Sequence, residues 1–248
     1  MNFSSASTPN ERLLALNRAF YAQFGAAFAE KRGRLQPGVA RLLPRIPADA
    51  RVLDVGCGHG AVLRHLREQG FHGTYIGLDF SPDLLQLARQ EAADPPPGAD
   101  FRFLARDLAS PHWAEALPAP FDFVLAFSVL HHLPGQDLRR RIVAQIHALL
   151  RPGGLFFHSH WQFLNSPRWR NRIQPWDLAG LTPDQVEPND YLLDWRHRGT
   201  GLRYVHHFSD EELRALAEET GFQVRETFLS DGEGGRLGLY HIWERGNG

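Results

Sequence analysis

Residues Arg51-Val52-Leu53-Asp54-Val55-Gly56-Cys57-Gly58-His59-Gly60 join an apolar run to three glycines at alternate positions, and a helix-like pattern follows. Few arrangements constrain a fold more. A strand must end, the chain must turn tightly, and a helix must begin within a few residues. Alternate glycines permit that turn and leave no Cβ between the backbone and a ligand. The following helix would present unpaired N–H groups and its positive dipole end to a negatively charged group. Asp54 sits inside the strand, two residues before the first glycine. A second strand-like run, Thr74-Tyr75-Ile76-Gly77-Leu78, ends in Asp79. An acid about 20 residues beyond such glycines is where α/β nucleotide-binding folds hold a pair of ribose hydroxyls. The dehydrogenase spacing G-x-G-x-x-G does not fit, because Gly60 follows Gly58 by two residues rather than three.

Along the chain, Thr8-Pro9-Asn10-Glu11 is a capping box with proline at the first helical position. It predicts a helix to about Glu30, with a short helix following to Leu43. Strand 51–56 then leads to a helix ending near Gln69, and strand 73–78 to a helix opening at Ser81-Pro82-Asp83. Phe101-Arg102-Phe103-Leu104 alternates as a strand. Phe121 to Phe127 is nearly continuous apolar sequence, as a buried parallel strand should be. A helix from Gln136 to Leu150 and a turn at Arg151-Pro152-Gly153-Gly154 precede a strand at Leu155-Phe156-Phe157. Repeated βα units argue for a parallel sheet with helices on both faces. Residues 161–207 show no sustained period and read as an insertion. Ser209-Asp210-Glu211-Glu212 caps a last helix to Thr220, and Gly221–Leu229 with Arg236–Trp243 reads as a hairpin.

Charge and cysteine content narrow the function. A net charge of −1 supplies no global field toward nucleic acid or an anionic membrane. Cys57 is the single cysteine, which rules out an internal disulfide framework and a cysteine-rich zinc site. No apolar run approaches the length of a membrane span, and no charged-then-apolar leader opens the chain. The expectation is a cytoplasmic enzyme.

Val52 to Gly60, together with Asp79, resembles the first motifs of the class I, Rossmann-like S-adenosylmethionine-dependent methyltransferases. The resemblance implies an α/β fold: a Rossmann-like doubly wound, mostly parallel seven-stranded sheet with an antiparallel C-terminal strand. Residues 1–47 would form an N-terminal helical cover, and residues 48–248 the methyltransferase domain with its insertion at about 161–207. The implied cofactor is S-adenosyl-L-methionine. Gly56, Gly58 and Gly60 would give the close backbone approach to its methionine part, and Asp79 would hold the ribose. Phe80 would lie against the adenine, Asp107 near its amino group, and Leu108 on the ring. Ser128 would close the site at the carboxyl end of the sheet. Asp54 either receives the cofactor's amino group or braces loop amides. Asp107 has a second reading as a turn cap. Cys57 lines the site as a small packed residue rather than a nucleophile.

A second resemblance concerns the acceptor. The run Val129-Leu130-His131-His132-Leu133, the segment Asp190-Tyr191-Leu192-Leu193-Asp194-Trp195 and the run Arg203-Tyr204-Val205-His206-His207-Phe208 are similar to the wobble-uridine tRNA methyltransferases that esterify 5-carboxymethyluridine. Tyr21 and Phe28-Ala29-Glu30-Lys31-Arg32 resemble their N-terminal entry. Val205 and Gly234-Gly235-Arg236 depart from that pattern. The resemblance puts forward His131, His132, Arg203, Tyr204 and His206 as catalytic, and Tyr21, Arg32, Trp161 and Trp195 as acceptor-facing. It implies a methyl acceptor, tRNA or a small molecule, and leaves room for a small activating partner protein. The cations of the insertion, among them Arg168, Arg170 and Arg172, suit a carboxylate or phosphate, with aromatic rings between them to stack a base. Asp177, Asp184, Glu187, Asp190 and Asp194 in the same stretch fit an internally paired surface equally well. The two histidine pairs match no metal-ligand spacing, so no metal is expected. A small-metabolite O- or N-methyltransferase and a non-catalytic cofactor-binding partner subunit are the alternative functions.

Overall fold

The computed structural model describes residues 7–31 and 35–247. Helix α1 (Pro9–Lys31) starts where the capping box requires: Glu11 N–H donates to Thr8 Oγ1 at 3.3 Å, and Thr8 N–H donates to Glu11 Oε2 at 2.8 Å. Helix α2 (Pro37–Leu42) follows. Five parallel strands come next: β1 (Arg51–Val55), β2 (Thr74–Asp79), β3 (Asp100–Ala105), β4 (Phe121–Phe127) and β5 (Leu150–Trp161). Helices α3 (Ala61–Glu68), α4 (Pro82–Glu91) and α5 (Gln136–Leu149) follow β1, β2 and β4, and β3 passes to β4 through a loop. The Arg151–Gly154 segment, expected as a turn, is instead carried within β5.

The main sheet has seven strands in the order β3-β2-β1-β4-β5-β10-β9. Its last two members are β9 (Phe222–Ser230) and β10 (Gly238–Arg245), and β10 runs antiparallel to both β5 and β9. This is the expected Rossmann-like architecture. Period-2 alternation divides each strand between two cores. Leu53, Val55, Val124 and Phe156 pack beneath α5 and α7 (Asp210–Glu219). Val52, Tyr75, Leu125 and Phe157 pack beneath α2, α3 and α4. Chain order reverses between β1 and β4, so a crevice opens at their carboxyl ends.

Residues 161–207 are more ordered than their sequence suggests. After a four-residue helix α6 (Pro167–Arg170), strands β6 (Ile173–Gln174), β7 (Asp190–Trp195) and β8 (Gly201–His206) form a separate antiparallel sheet. Leu192 and Tyr204 pack against Leu13 and Leu16 of α1, while Leu193 and Val205 pack on Phe163. Both faces are covered, so the strands lack the apolar-polar alternation of a half-exposed sheet. Helix α1 rests on β8 and α4. Among the described residues, no helix is long and apolar enough to cross a membrane.

Candidate active site

The crevice between β1 and β4 holds a cavity of about 220 Å³. One wall is the turn after β1. Gly56 and Cys57 N–H both donate to Leu78 O, at 2.7 and 2.9 Å, which ties the turn to β2. Gly56, Gly58 and Gly60 all have positive φ, at 74°, 56° and 81°, a region that side-chain-bearing residues enter only with strain. The three glycines serve different ends. A Cβ on Gly56 would lie 2.4 Å from Val129 Cγ2. A Cβ on Gly60 would press on Ala88 of α4, 3.1 Å from its Cα. A Cβ on Gly58 would meet no atom within 4 Å. Gly56 and Gly58 line the cavity and Gly60 does not. Gly60, expected beside the cofactor, is placed outside the cavity, where its missing Cβ lets α3 approach α4.

Asp79 stands at the end of β2 and braces this turn. Gly58 N–H donates to its Oδ2 at 3.0 Å, and Ser81 N–H to its Oδ1 at 2.9 Å. With Phe80 N–H as a third backbone donor, the carboxylate still has acceptor capacity for a ligand. Burial pushes the Asp79 carboxyl above its ordinary range, with the backbone donors of Ser81 and Gly58 opposing. Asp54 is more deeply enclosed, at 2% exposure, and accepts a hydrogen bond from Tyr75 Oη. Burial pushes its carboxyl up to about 7, the Tyr75 hydroxyl pulls it down, and the charge of Asp79 adds to the rise. Burial also holds the Cys57 thiol well above its ordinary value, which suits a packed residue and not a nucleophile.

Phe80, Leu108 and Ser128 line the same cavity. Ser128 has a φ of 60°, and its N–H donates to Ser159 Oγ at 3.1 Å. Asp107 also lines it, and its turn-cap reading is realised as well: Ala109 N–H donates to Oδ1 at 2.9 Å, and Arg18 of α1 pairs with Oδ2.

The opposite wall comes from α1 and from the short 3-10 turn Leu130–His132 after β4. Tyr21 Oη lies 2.8 Å from His132 Nε2. His132 Nδ1 lies 3.2 Å from the backbone oxygen of Tyr204. That oxygen can only accept, so Nδ1 carries the proton, and in the neutral form of the ring Nε2 is the unprotonated nitrogen that faces Tyr21.

The remaining candidates lie outside the cavity. His131 is buried, with its ring centroid 4.3 Å from that of His132, and Trp161 N–H donates to its Nδ1 at 3.4 Å. Tyr204 is corrected from a catalytic to a structural residue. Its side chain is fully buried, and Oη donates to Asp190 Oδ1 at 2.7 Å. His206 is corrected in the same way, for its ring nitrogens lie 2.7 Å from Asp190 and 2.8 Å from Glu212. Burial lowers the pKa of His206, yet those two carboxylates outweigh it and the net direction is upward. Glu187, Asp190 and His206 bring potential metal-ligand atoms within 4.8 Å of one another, a grouping that no sequence spacing announced. Arg139 already supplies a cation there, 2.8 Å from Glu187 Oε2. Arg203 is buried over Trp161, Phe20 and Trp195, with its guanidinium carbon 4.5, 5.6 and 5.8 Å from their ring centroids. Arg203, Trp161 and Trp195 therefore stand together behind α1 and do not line the cavity. Arg32 lies outside the described residues.

Sequence reasoning passed over Leu14, Asn17 and Arg18, which line the cavity beside Tyr21. Their spacing on α1 puts all four on one helix face. Nothing local says what that face covers.

A known family, described as a methyltransferase domain, matches residues 28–227. The chain belongs to that family. Among its relatives, a ubiquinone biosynthesis O-methyltransferase of Xylella fastidiosa is 39% identical over 117 residues, 46% of this chain and 44% of that one. The chain thus spans less than half the length of that relative. A trans-aconitate 2-methyltransferase of Streptomyces avermitilis is 29% identical over 214 residues, 71% of this chain and 77% of that one. Among solved structures, a Burkholderia thailandensis 1,6-didemethyltoxoflavin-N1-methyltransferase, with that compound and S-adenosylhomocysteine bound, superposes with a TM-score of 0.62 at 22% identity. That likeness covers 99% of this chain and 93% of the other, and it concerns the fold. The family match agrees with the methyltransferase class read from the glycine motif. It lends no support to the finer resemblance to wobble-uridine tRNA enzymes.

Proposed function

We propose that this protein is an S-adenosylmethionine-dependent methyltransferase whose acceptor is a small molecule with an O–H or N–H to lose. The observation that carries the reading is one cavity with two complementary walls. The Gly56–Gly58 turn and Asp79 form one, and His132 with Tyr21 forms the other. The first wall fits the cofactor. Gly58 offers bare backbone where a Cβ would project into open space, and buried Asp79 and Asp54 offer carboxylates to hydroxyls and to an ammonium. Bound there, the cofactor supplies an electrophilic sulfonium methyl group.

This chain's residues do the rest. Asp79 would accept from the ribose hydroxyls and Asp54 would face the amino group. Phe80 and Leu108 would flank the adenine, and α1 would exclude water from the opposite side. His132 would take the acceptor's proton at Nε2, directly or through the Tyr21 hydroxyl. Alignment of acceptor and methyl donor would supply most of the rate. A carboxylate acceptor is already ionised near neutral pH and has no use for that base.

The wobble-uridine reading draws less support. The family match lends it none, and the insertion's arginines, which suit a carboxylate or phosphate, also have partners within the protein. Arg170 donates to Leu164 O at 2.6 Å, Arg172 lies 3.5 Å from Asp194, and Arg168 lies over Trp169.

The test is incubation of the purified chain with methyl-labelled S-adenosylmethionine and two pools: phenols, hydroxy acids and amines in one, total tRNA in the other. Label in a small molecule is expected. Label in tRNA would overturn the acceptor class. Tight cofactor binding without turnover on either pool would favour the non-catalytic subunit or a missing partner.

A further inference from the structure

Asn17 lies in the middle of α1, 5% exposed, and its side chain makes three hydrogen bonds. Its Oδ1 accepts from Tyr204 N–H at 2.8 Å, and its Nδ2 donates to Tyr204 O at 3.1 Å. The amide thus pairs with β8 as a neighbouring strand would. The same Nδ2 donates to the backbone oxygen of His132 at 2.9 Å. Tyr204 O therefore has two donors, Asn17 Nδ2 and His132 Nδ1. A carbonyl oxygen has two lone pairs, so both are taken.

We propose that Asn17 is a positioning residue that fixes the tautomer and orientation of His132. It rests on the reading of His132 as the base. Asn17 occupies one side of the Tyr204 carbonyl and leaves the other to the imidazole N–H. It also pins the main chain of His132, so the ring cannot swing away from that carbonyl. One turn further along α1, Tyr21 meets the opposite nitrogen. A single helix face thus grips His132 at its main chain and at Nε2, and through β8 at Nδ1. The helix that covers the cavity is also the part that readies its base, so the base takes its working form only when α1 is seated. A plain anchoring role for Asn17 would tie α1 to β8 and leave the ring's tautomer untouched.

Nitrogen-15 NMR of histidine-labelled protein separates the two, with the His132 signals assigned by their loss in His132→Gln. The full chain should show His132 as a single Nδ1-protonated tautomer. Asn17→Asp keeps an acceptor for Tyr204 N–H but loses both donors. In it, the Nε2-protonated form should rise from undetected to an intensity comparable with the other. Asn17→Ala should do the same, with a lower melting temperature. An Nε2-protonated wild type would overturn the proposal, and so would a single Nδ1 tautomer persisting in both variants. Failure of the base reading would look different: the tautomer would shift as expected, while His132→Gln transferred methyl to the identified acceptor at the wild-type rate.

Discussion

The two walls of the cavity are assembled from sequence in opposite ways. The glycine wall comes from two short segments, 54–58 and 79–81, whose strands are direct neighbours, with Asp54 level with Gly77 in register. Its polar groups satisfy one another across that single pairing, as Gly58 does with Asp79, or within one segment, as Ser81 does with Asp79. The helical wall brings together Asn17 and Tyr21 with His132, and Tyr204 backs them from a third distant part of the chain. The first is a property of a βα turn and persists wherever that turn forms. The second exists only when α1, the turn after β4 and the small sheet have all docked. Changes to the glycine wall should therefore strike cofactor binding in a folded protein, whereas changes behind the helical wall should act on stability and on the acceptor step.

The largest effect should come from Gly58→Val. A β-branched residue is strained at a φ of 56° and would enter the space left to the ligand, and its Cβ would meet no protein atom within 4 Å. Calorimetry should show affinity for S-adenosylmethionine reduced by about 100-fold or more, about 3 kcal/mol, with the melting transition retained. Wild-type affinity would break the assignment of this wall. Next, Asp79→Ala removes a buried carboxylate that braces the turn and would hold the ribose. Hydrogen bonds to charged groups contribute about 1.5–3 kcal/mol, so the dissociation constant should rise roughly tenfold to a hundredfold.

Proton linkage sharpens the comparison further. Asp54, pushed up to about 7, is largely protonated in the ligand-free fold below that pH. A bound ammonium would favour the carboxylate, so cofactor affinity should weaken as pH falls below about 7, by up to about tenfold per unit for one proton. Stability of the ligand-free protein should carry the opposite sign. A raised carboxyl contributes stability that is present at low pH and lost as pH rises through about 7. Calorimetry in buffers of different ionisation enthalpy would show proton release on binding in wild type and none in Asp54→Asn. The smallest effect on the cofactor should belong to Tyr204→Phe, which deletes the hydroxyl bonded to Asp190 behind the helical wall. It should cost about 1–3 kcal/mol of stability and leave affinity for S-adenosylmethionine unchanged. A large loss of cofactor affinity with normal melting would bring the two walls together as one unit.

The division also separates what could be read along the chain from what could not. The strand-turn-helix at 51–68, the acid at 79, the buried strand 121–127 and the closing hairpin carry their signals within a few residues. Periodicity, caps and glycines report local backbone needs, so these elements and the glycine wall were legible. The separate place of Gly60 was not legible because glycines required by packing and by a ligand look alike in sequence; only the Cβ environment separates Gly58, with nothing near it, from Gly60 against Ala88. Strands β7 and β8 were missed because burial on both faces removes their alternation. Tyr204 and His206 drew attention as reactive types, yet such side chains are also what a buried ion-paired network around Asp190 requires.

By itself, then, the sequence determined the Rossmann-like sheet, the glycine turn that lines the cavity and the methyltransferase class, because short-range backbone chemistry carries all three. Tertiary structure alone decided which histidine meets the cavity and which acids are already neutralised. It also decided that Asn17 and Tyr21 of the first helix stand over His132, more than a hundred residues away. Those pairings depend on how α1 and the small sheet seat against the crevice, and that seating follows from apolar burial summed over both, which no local pattern records.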